Sequence, residues 1–245
     1  MLGLGIATVA IPMSVVLWMY YHGGVYSRKR NAPDFKNHET STKFCDIGLM
    51  DLELPLEIRN DVYRYALDKS NGRRVHIWGW KKGRTIPTHI CLKDLPTLAS
   101  WYCSCAKRVS QYIGLEVETT PLNLPTSCAV LVYEDAGDFI NWHYDVNYFK
   151  GQFFTVLVPV SLDDCSTRFM YKNGDGDDVS VNIPPNRAMV FEGEKVFHMA
   201  SKLVANEHRV LISLQFVTNC EMTAWSKFLI NVKDIAFVGI NRIKI

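Results

Sequence analysis

Trp142-His143-Tyr144-Asp145 is the stretch on which the reading of this chain turns. It closes the run Ile140 to Asp145, whose texture predicts a strand. In a strand, side chains two apart project to one face, so His143 and Asp145 can offer an imidazole nitrogen and a carboxylate oxygen to the same ion. By itself the pair is close to what chance supplies, and two later residues make it specific. His198 comes 55 residues later at the end of an apolar strand, and Arg209 a further eleven on, heading Val210-Leu211-Ile212-Ser213-Leu214. Two histidines and one carboxylate on one face form a donor set that suits iron(II) and leaves coordination positions open. A guanidinium directed into a protein interior is costly unless it meets an anion, and its planar fork matches a carboxylate.

Working outward, the chain after Glu118 breaks into short β-rich runs. These are Ala129 to Tyr133, Ile140 to Asp145, Phe153 to Ser161, Arg168 to Lys172, Val179 to Ile183, Ala188 to Phe191, Val196 to Met199 and Arg209 to Val217. Short strands with turn residues between them predict a mainly β domain with flanking helices, a double-stranded β-helix or jelly roll with its core at about 125–220. Asn173-Gly174-Asp175-Gly176 is the clearest hairpin turn, and it lacks the spacing of an EF-hand calcium loop. Before the strands, apolar residues at helical spacing predict supporting helices over Pro55 to Lys69 and Leu95 to Leu115.

Residues 2–21 carry no charge, and at about 1.5 Å per residue they reach roughly the thickness of a bilayer's hydrocarbon region. The expectation is a transmembrane anchor over 1–22, a polar linker over 23–48 and a catalytic domain over 49–245. Arg28, Lys29 and Arg30 follow the span and nothing basic precedes it, which favours a single-pass membrane protein with its domain on the cytoplasmic side, the endoplasmic reticulum being the candidate membrane. Lys+Arg 27 against Asp+Glu 25 provides no field to recruit nucleic acid, and none is expected as a partner. Seven cysteines without a C-x-x-C pair argue against a zinc knuckle or a full disulfide framework.

The ordered set His143, Asp145, His198 and Arg209 resembles the iron(II)- and 2-oxoglutarate-dependent dioxygenases, within them the prolyl 4-hydroxylase-like branch, over about residues 95–217. Thr167-Arg168-Phe169 is similar to the T-x-F of the collagen-type enzymes, and Pro184 to Phe191 to the strand before the distal histidine. Asp164-Cys165 stands where those enzymes have Gly-Gly. The basic residue is Arg where they have Lys, and no second arginine of the nucleic-acid demethylase pattern comes after it. The resemblance implies iron(II) on His143, Asp145 and His198, with the distal carboxylate of 2-oxoglutarate on Arg209. Tyr133 and Thr155, ten before and twelve after the first histidine, would line the 2-oxoglutarate pocket. Dioxygen is the second co-substrate and ascorbate the reductant.

The implied activity is hydroxylation of a protein side chain, with prolyl 4-hydroxylation as the leading specific expectation. A lipid or other small molecule reached from the membrane face is the alternative substrate, and a catalytically silent jelly roll used for protein contact is the non-enzymatic one. His76 and His89 flank Trp78-Gly79-Trp80-Lys81-Lys82-Gly83-Arg84, a stretch suited either to a mobile substrate lid over 76–84 or to a hairpin packed on the domain. His208 alternates to the face opposite Arg209 and is expected outside the barrel.

Overall fold

The computed structural model describes residues 47–161 and 167–230. The regions read as membrane anchor and most of the linker, and the Asp164-Cys165 departure, lie outside them. No helix among the described residues is long and apolar enough to cross a membrane.

Among the described residues the elements run in the order β1 (Ile47–Asp51), α1 (Leu56–Leu67), β2 (Arg73–Ile77), β3 (Lys81–Ile86), α2 (Thr88–Asp94), α3 (Pro96–Ile113), β4 (Glu118–Thr119), β5 (Cys128–Tyr133), β6 (Phe139–His143), β7 (Phe153–Pro159), β8 (Phe169–Lys172), β9 (Asp178–Val181), β10 (Arg187–Glu192), β11 (His198–Ala200) and β12 (Arg209–Val217), with a helical stretch over 224–230 after them. The strands form one antiparallel, curled sheet in the order β1-β10-β7-β12-β5-β3-β6-β11-β8-β9, with β2 added to β3 and β4 to β12, an arrangement consistent with a jelly roll.

Alternation along the central strands decides what each face holds. Val156 and Val158 of β7, Val130 and Val132 of β5, and Val210 and Ile212 of β12 pack against Leu98, Tyr102, Cys105 and Val109 of α3 and Val62 of α1. Leu157 of β7 points the other way, into a cluster with Phe169, Tyr171, Met189 and Phe191 that fills the inside of the curl. Helix α3 forms because Leu98, Tyr102, Cys105, Val109 and Ile113 recur at three- and four-residue spacing, and it stops at Gly114, whose φ of 74° is the left-handed cap glycine tolerates.

Several elements differ from the sequence expectation. β1 begins at Ile47, inside the stretch read as linker, and pairs with β10. The Trp78 to Arg84 region follows the hairpin alternative of the two readings, as β2 and β3, with the second strand built into the sheet between β5 and β6. Trp78 stands out at its tip, 94% exposed. Only that tip is left for the lid reading. Asn173 closes the β8–β9 turn as expected, its Oδ1 accepting from the Asp175 and Asp177 N–H groups. Of the seven cysteines, the described Cys91, Cys103, Cys105, Cys128 and Cys220 are free thiols.

Candidate metal centre

β6 ends at His143 and β11 begins at His198, and the antiparallel register sets these two residues directly opposite each other. Their ring centroids are 4.2 Å apart. Asp145 lies two residues beyond the end of β6, so it is not the strand partner that the H-x-D spacing predicts. Its N–H donates to the Gly193 carbonyl at 2.9 Å, which draws the chain back toward the histidines. The carboxylate Oδ1 then sits 3.6 Å from His143 Nε2 and 4.0 Å from His198 Nε2. One ligand atom from each residue falls within 4.8 Å of the others.

The hydrogen bonds around the three side chains settle which atoms are free to coordinate. His143 Nδ1 faces the Asn141 carbonyl at 2.7 Å and His198 Nδ1 the Val196 carbonyl at 2.9 Å. A carbonyl only accepts, so each Nδ1 carries the proton and each Nε2 keeps its lone pair for an ion. Thr155 Oγ1 donates to Asp145 Oδ2 at 2.6 Å, leaving Oδ1 turned to the histidines. Burial, and after it the neighbouring His198, pushes the His143 imidazole down to about 4 against the opposing pull of Asp145. It is neutral at physiological pH, as a ligand has to be. Two imidazoles that turn Nε2 to a common point and one carboxylate held by Thr155 fit iron(II), and they fit magnesium or calcium poorly, since those prefer all-oxygen sites.

His198 is held in place by aromatic walls, Phe169 stacking at 5.4 Å and Phe191 at 4.6 Å between centroids. Arg209 is 7% exposed and stands opposite Tyr133 in the β12–β5 ladder, its guanidinium carbon 5.7 Å from the Tyr133 ring. It shares its strand face with Leu211, which packs with Tyr133, Ala200 and Leu203. Burial pushes the Tyr133 phenol up to about 12, with Arg209 pulling the other way, so it stays a neutral hydroxyl. His208 is exposed and lies just before β12, whereas Arg209 is buried. His76 and His89 do not join the metal group.

Thr155 therefore makes its observed contact with the metal-site carboxylate. Residues that the sequence reading passed over are Asn141, Val196 and Gly193, which act through backbone carbonyls. A carbonyl leaves no trace in residue type, and the one available signal was a lone glycine closing an apolar strand. Lys81 is another: it donates to Thr85 Oγ1 at 3.1 Å, and its charge reaches His143.

No protein-family model and no curated protein sequence matches the chain. Solved structures do. The non-haem α-ketoglutarate-dependent epimerase SnoN from nogalamycin biosynthesis superposes with a TM-score of 0.57 at 13% identity, over 70% of this chain and 76% of its own. The chain has the fold of the non-haem, 2-oxoglutarate-dependent oxygenases. EctD from S. alaskensis, solved with 2-oxoglutarate and 5-hydroxyectoine, superposes with a TM-score of 0.54 at 12% identity over 70% of this chain and 72% of its own. A prolyl hydroxylase from Trichoplax adhaerens, in complex with a hypoxia inducible factor peptide, gives 0.49 at 15% identity over 71% of this chain and 84% of its own.

Proposed function

We propose that this protein is an iron(II)- and 2-oxoglutarate-dependent dioxygenase that hydroxylates its substrate. The observation that carries the reading is the convergence of His143 Nε2, His198 Nε2 and Asp145 Oδ1, with both Nδ1 atoms committed to carbonyls, inside an oxygenase fold. Iron with 2-oxoglutarate supplies the activation of dioxygen, coupling decarboxylation to succinate with transfer of one oxygen to the substrate. The chain's own residues supply the rest. His143 Nε2, His198 Nε2 and Asp145 Oδ1 would hold the ion. Arg209 presents a buried cation for the distal carboxylate of 2-oxoglutarate, with the neutral Tyr133 hydroxyl beside it. Phe169 and Phe191 keep water from the His198 side of the centre.

For the substrate, the sequence likeness to the prolyl 4-hydroxylase-like branch supports a protein side chain, proline first. The fold neighbours SnoN and EctD, one named for a biosynthetic pathway and one solved with 5-hydroxyectoine, favour a small molecule as the second reading. A panel of peptides and metabolites, incubated with iron(II), 2-oxoglutarate and ascorbate and scored for a gain of one oxygen, separates them, with His198→Ala as the blank. Succinate release that needs iron and disappears in the blank is the expected result; none from any substrate ends the enzymatic reading. Arg209→Ala should raise the KM for 2-oxoglutarate by about a hundredfold if its carboxylate is the anion served. Membrane anchorage through residues 1–22 is inferred from the uncharged stretch alone. Protease protection of sealed membranes tests its sidedness, cleavage from the cytoplasmic side being expected.

A further inference from the structure

The turn 192–196, which joins β10 to β11, touches two of the three ligands. The Gly193 carbonyl accepts from the Asp145 N–H at 2.9 Å, and the Val196 carbonyl stands 2.9 Å from His198 Nδ1. The turn is fixed at both ends. Gly193 N–H donates to the Phe153 carbonyl at 3.1 Å, while Lys195 and Val196 N–H groups donate to the Glu192 carbonyl at 3.0 and 3.1 Å. Asn147 ties its outer side, donating from Nδ2 to Glu194 Oε2 at 2.8 Å.

At the centre of this arrangement a side chain has no room. A Cβ on Gly193 would lie 2.6 Å from Asp145 Cβ, 3.0 Å from Asp145 Oδ2 and 3.1 Å from Phe153 Cδ1. The Asp145 carboxylate cannot simply swing aside, because Thr155 holds Oδ2 at 2.6 Å and the Asp145 N–H is bonded to Gly193 itself. The closest conflict is with Asp145 Cβ, which can move only with its own backbone.

We propose that Gly193 is a positioning residue for the metal: its bare backbone lets the turn close on Asp145, so that Oδ1 comes within reach of the ion shared by both histidines. The inference rests on reading His143, Asp145 and His198 as a metal site. A methyl group at 193 displaces the Asp145 backbone and with it one ligand atom, while the histidine pair across β6 and β11 remains.

Manganese(II), a redox-stable probe, tests this by calorimetric titration and electron paramagnetic resonance, with thermal unfolding measured in the absence of metal. Gly193→Ala should weaken manganese binding by about tenfold or more, the range for losing the support of a ligand. Gly72→Ala is the steric control: a Cβ there would meet the Thr85 carbonyl at 2.6 Å, away from the metal group. It should lower the unfolding temperature yet leave manganese affinity within about twofold, as independent sites do. A second comparison places Gly193→Ala in an Asp145→Gly background, where the closest clash is removed. There its effect on the unfolding temperature should fall to less than about half of its effect in the wild-type background. Wild-type affinity for manganese in Gly193→Ala, or an undiminished loss of stability beside Asp145→Gly, overturns the proposal. If Gly193→Ala does not fold, a folded double variant supports the proposal and an unfolded one overturns it. Failure of the wild type to bind manganese would refute the metal site instead, and the stability comparison would still decide whether residues 193 and 145 compete for space.

Discussion

Thr155 shows what one hydroxyl does at this centre. Donating to Asp145 Oδ2, it selects which carboxylate oxygen faces the histidines. Thr155→Val, nearly the same shape without the donor, should weaken manganese affinity by roughly tenfold, whereas Thr155→Ser should restore most of it. Titration of the two variants side by side checks this, and equal affinities would remove Thr155 from the site. The three candidate ligands were legible in the sequence because histidine and aspartate carry chemistry by type. Their supports were not. The carbonyls of Asn141, Val196 and Gly193 look the same in every residue, and only folding decides which group each one meets.

Among elements, the β2–β3 hairpin is one of the two readings the sequence left open, and what the sequence did not show is where its cations go. Arg73, Arg74, Lys81, Lys82 and Arg84 give it the texture of a solvated loop, yet its cations are used inside the fold. Arg84 is buried and pairs with Glu134 through both Nε and Nη2, at 2.9 and 2.8 Å. Its remaining donors meet the Ala66, Asp68 and Asn71 carbonyls, closing the C-terminal end of α1. Apolar periodicity cannot find a strand whose partners are carboxylates and carbonyls. The valine-rich strands β5, β7 and β12 and the periodic helix α3 were found because burial alone writes their pattern. Arg84→Ala leaves the largely buried Glu134 carboxylate with Arg74 alone, at 3.5 Å, and takes the donor from three carbonyls, and should cost about 3 kcal/mol in urea unfolding. A loss under about 1 kcal/mol would mean that the network is replaceable by water.

On the scale of the whole molecule, one carboxylate links that hairpin to the β5–β6 connection. Asp138 is fully buried, accepts from Arg74 at 2.5 and 3.3 Å, and accepts from the Glu134 and Asp135 N–H groups at 3.0 and 3.1 Å. Burial works to raise its pKa, but Arg74 and the two backbone donors outweigh it and hold the carboxyl below its usual range. A depressed folded value stabilises above the unfolded carboxyl pKa of about 3.9, and that contribution is lost as pH falls through the folded value. Asp138→Asn should therefore cost about 2 kcal/mol at neutral pH, with the gap to wild type closing below about pH 4. Unfolding curves at a series of pH values check the direction, and a gap that widened in acid would contradict it.

β11 is only three residues long, and its register against β6 slips between His198 and Ala200. So short and irregular a ladder resists opening poorly by itself. An ion gripped by His143 and His198 would act as a cross-link between neighbouring strands, clamping a pairing that the backbone alone holds weakly. At metal concentrations about a hundredfold above Kd, that linkage adds roughly 2.7 kcal/mol to global stability. Deuterium uptake should consequently slow at Met199 and Ala200 on adding manganese more than it does in the long β7–β12 ladder, making amide exchange a direct report of occupancy.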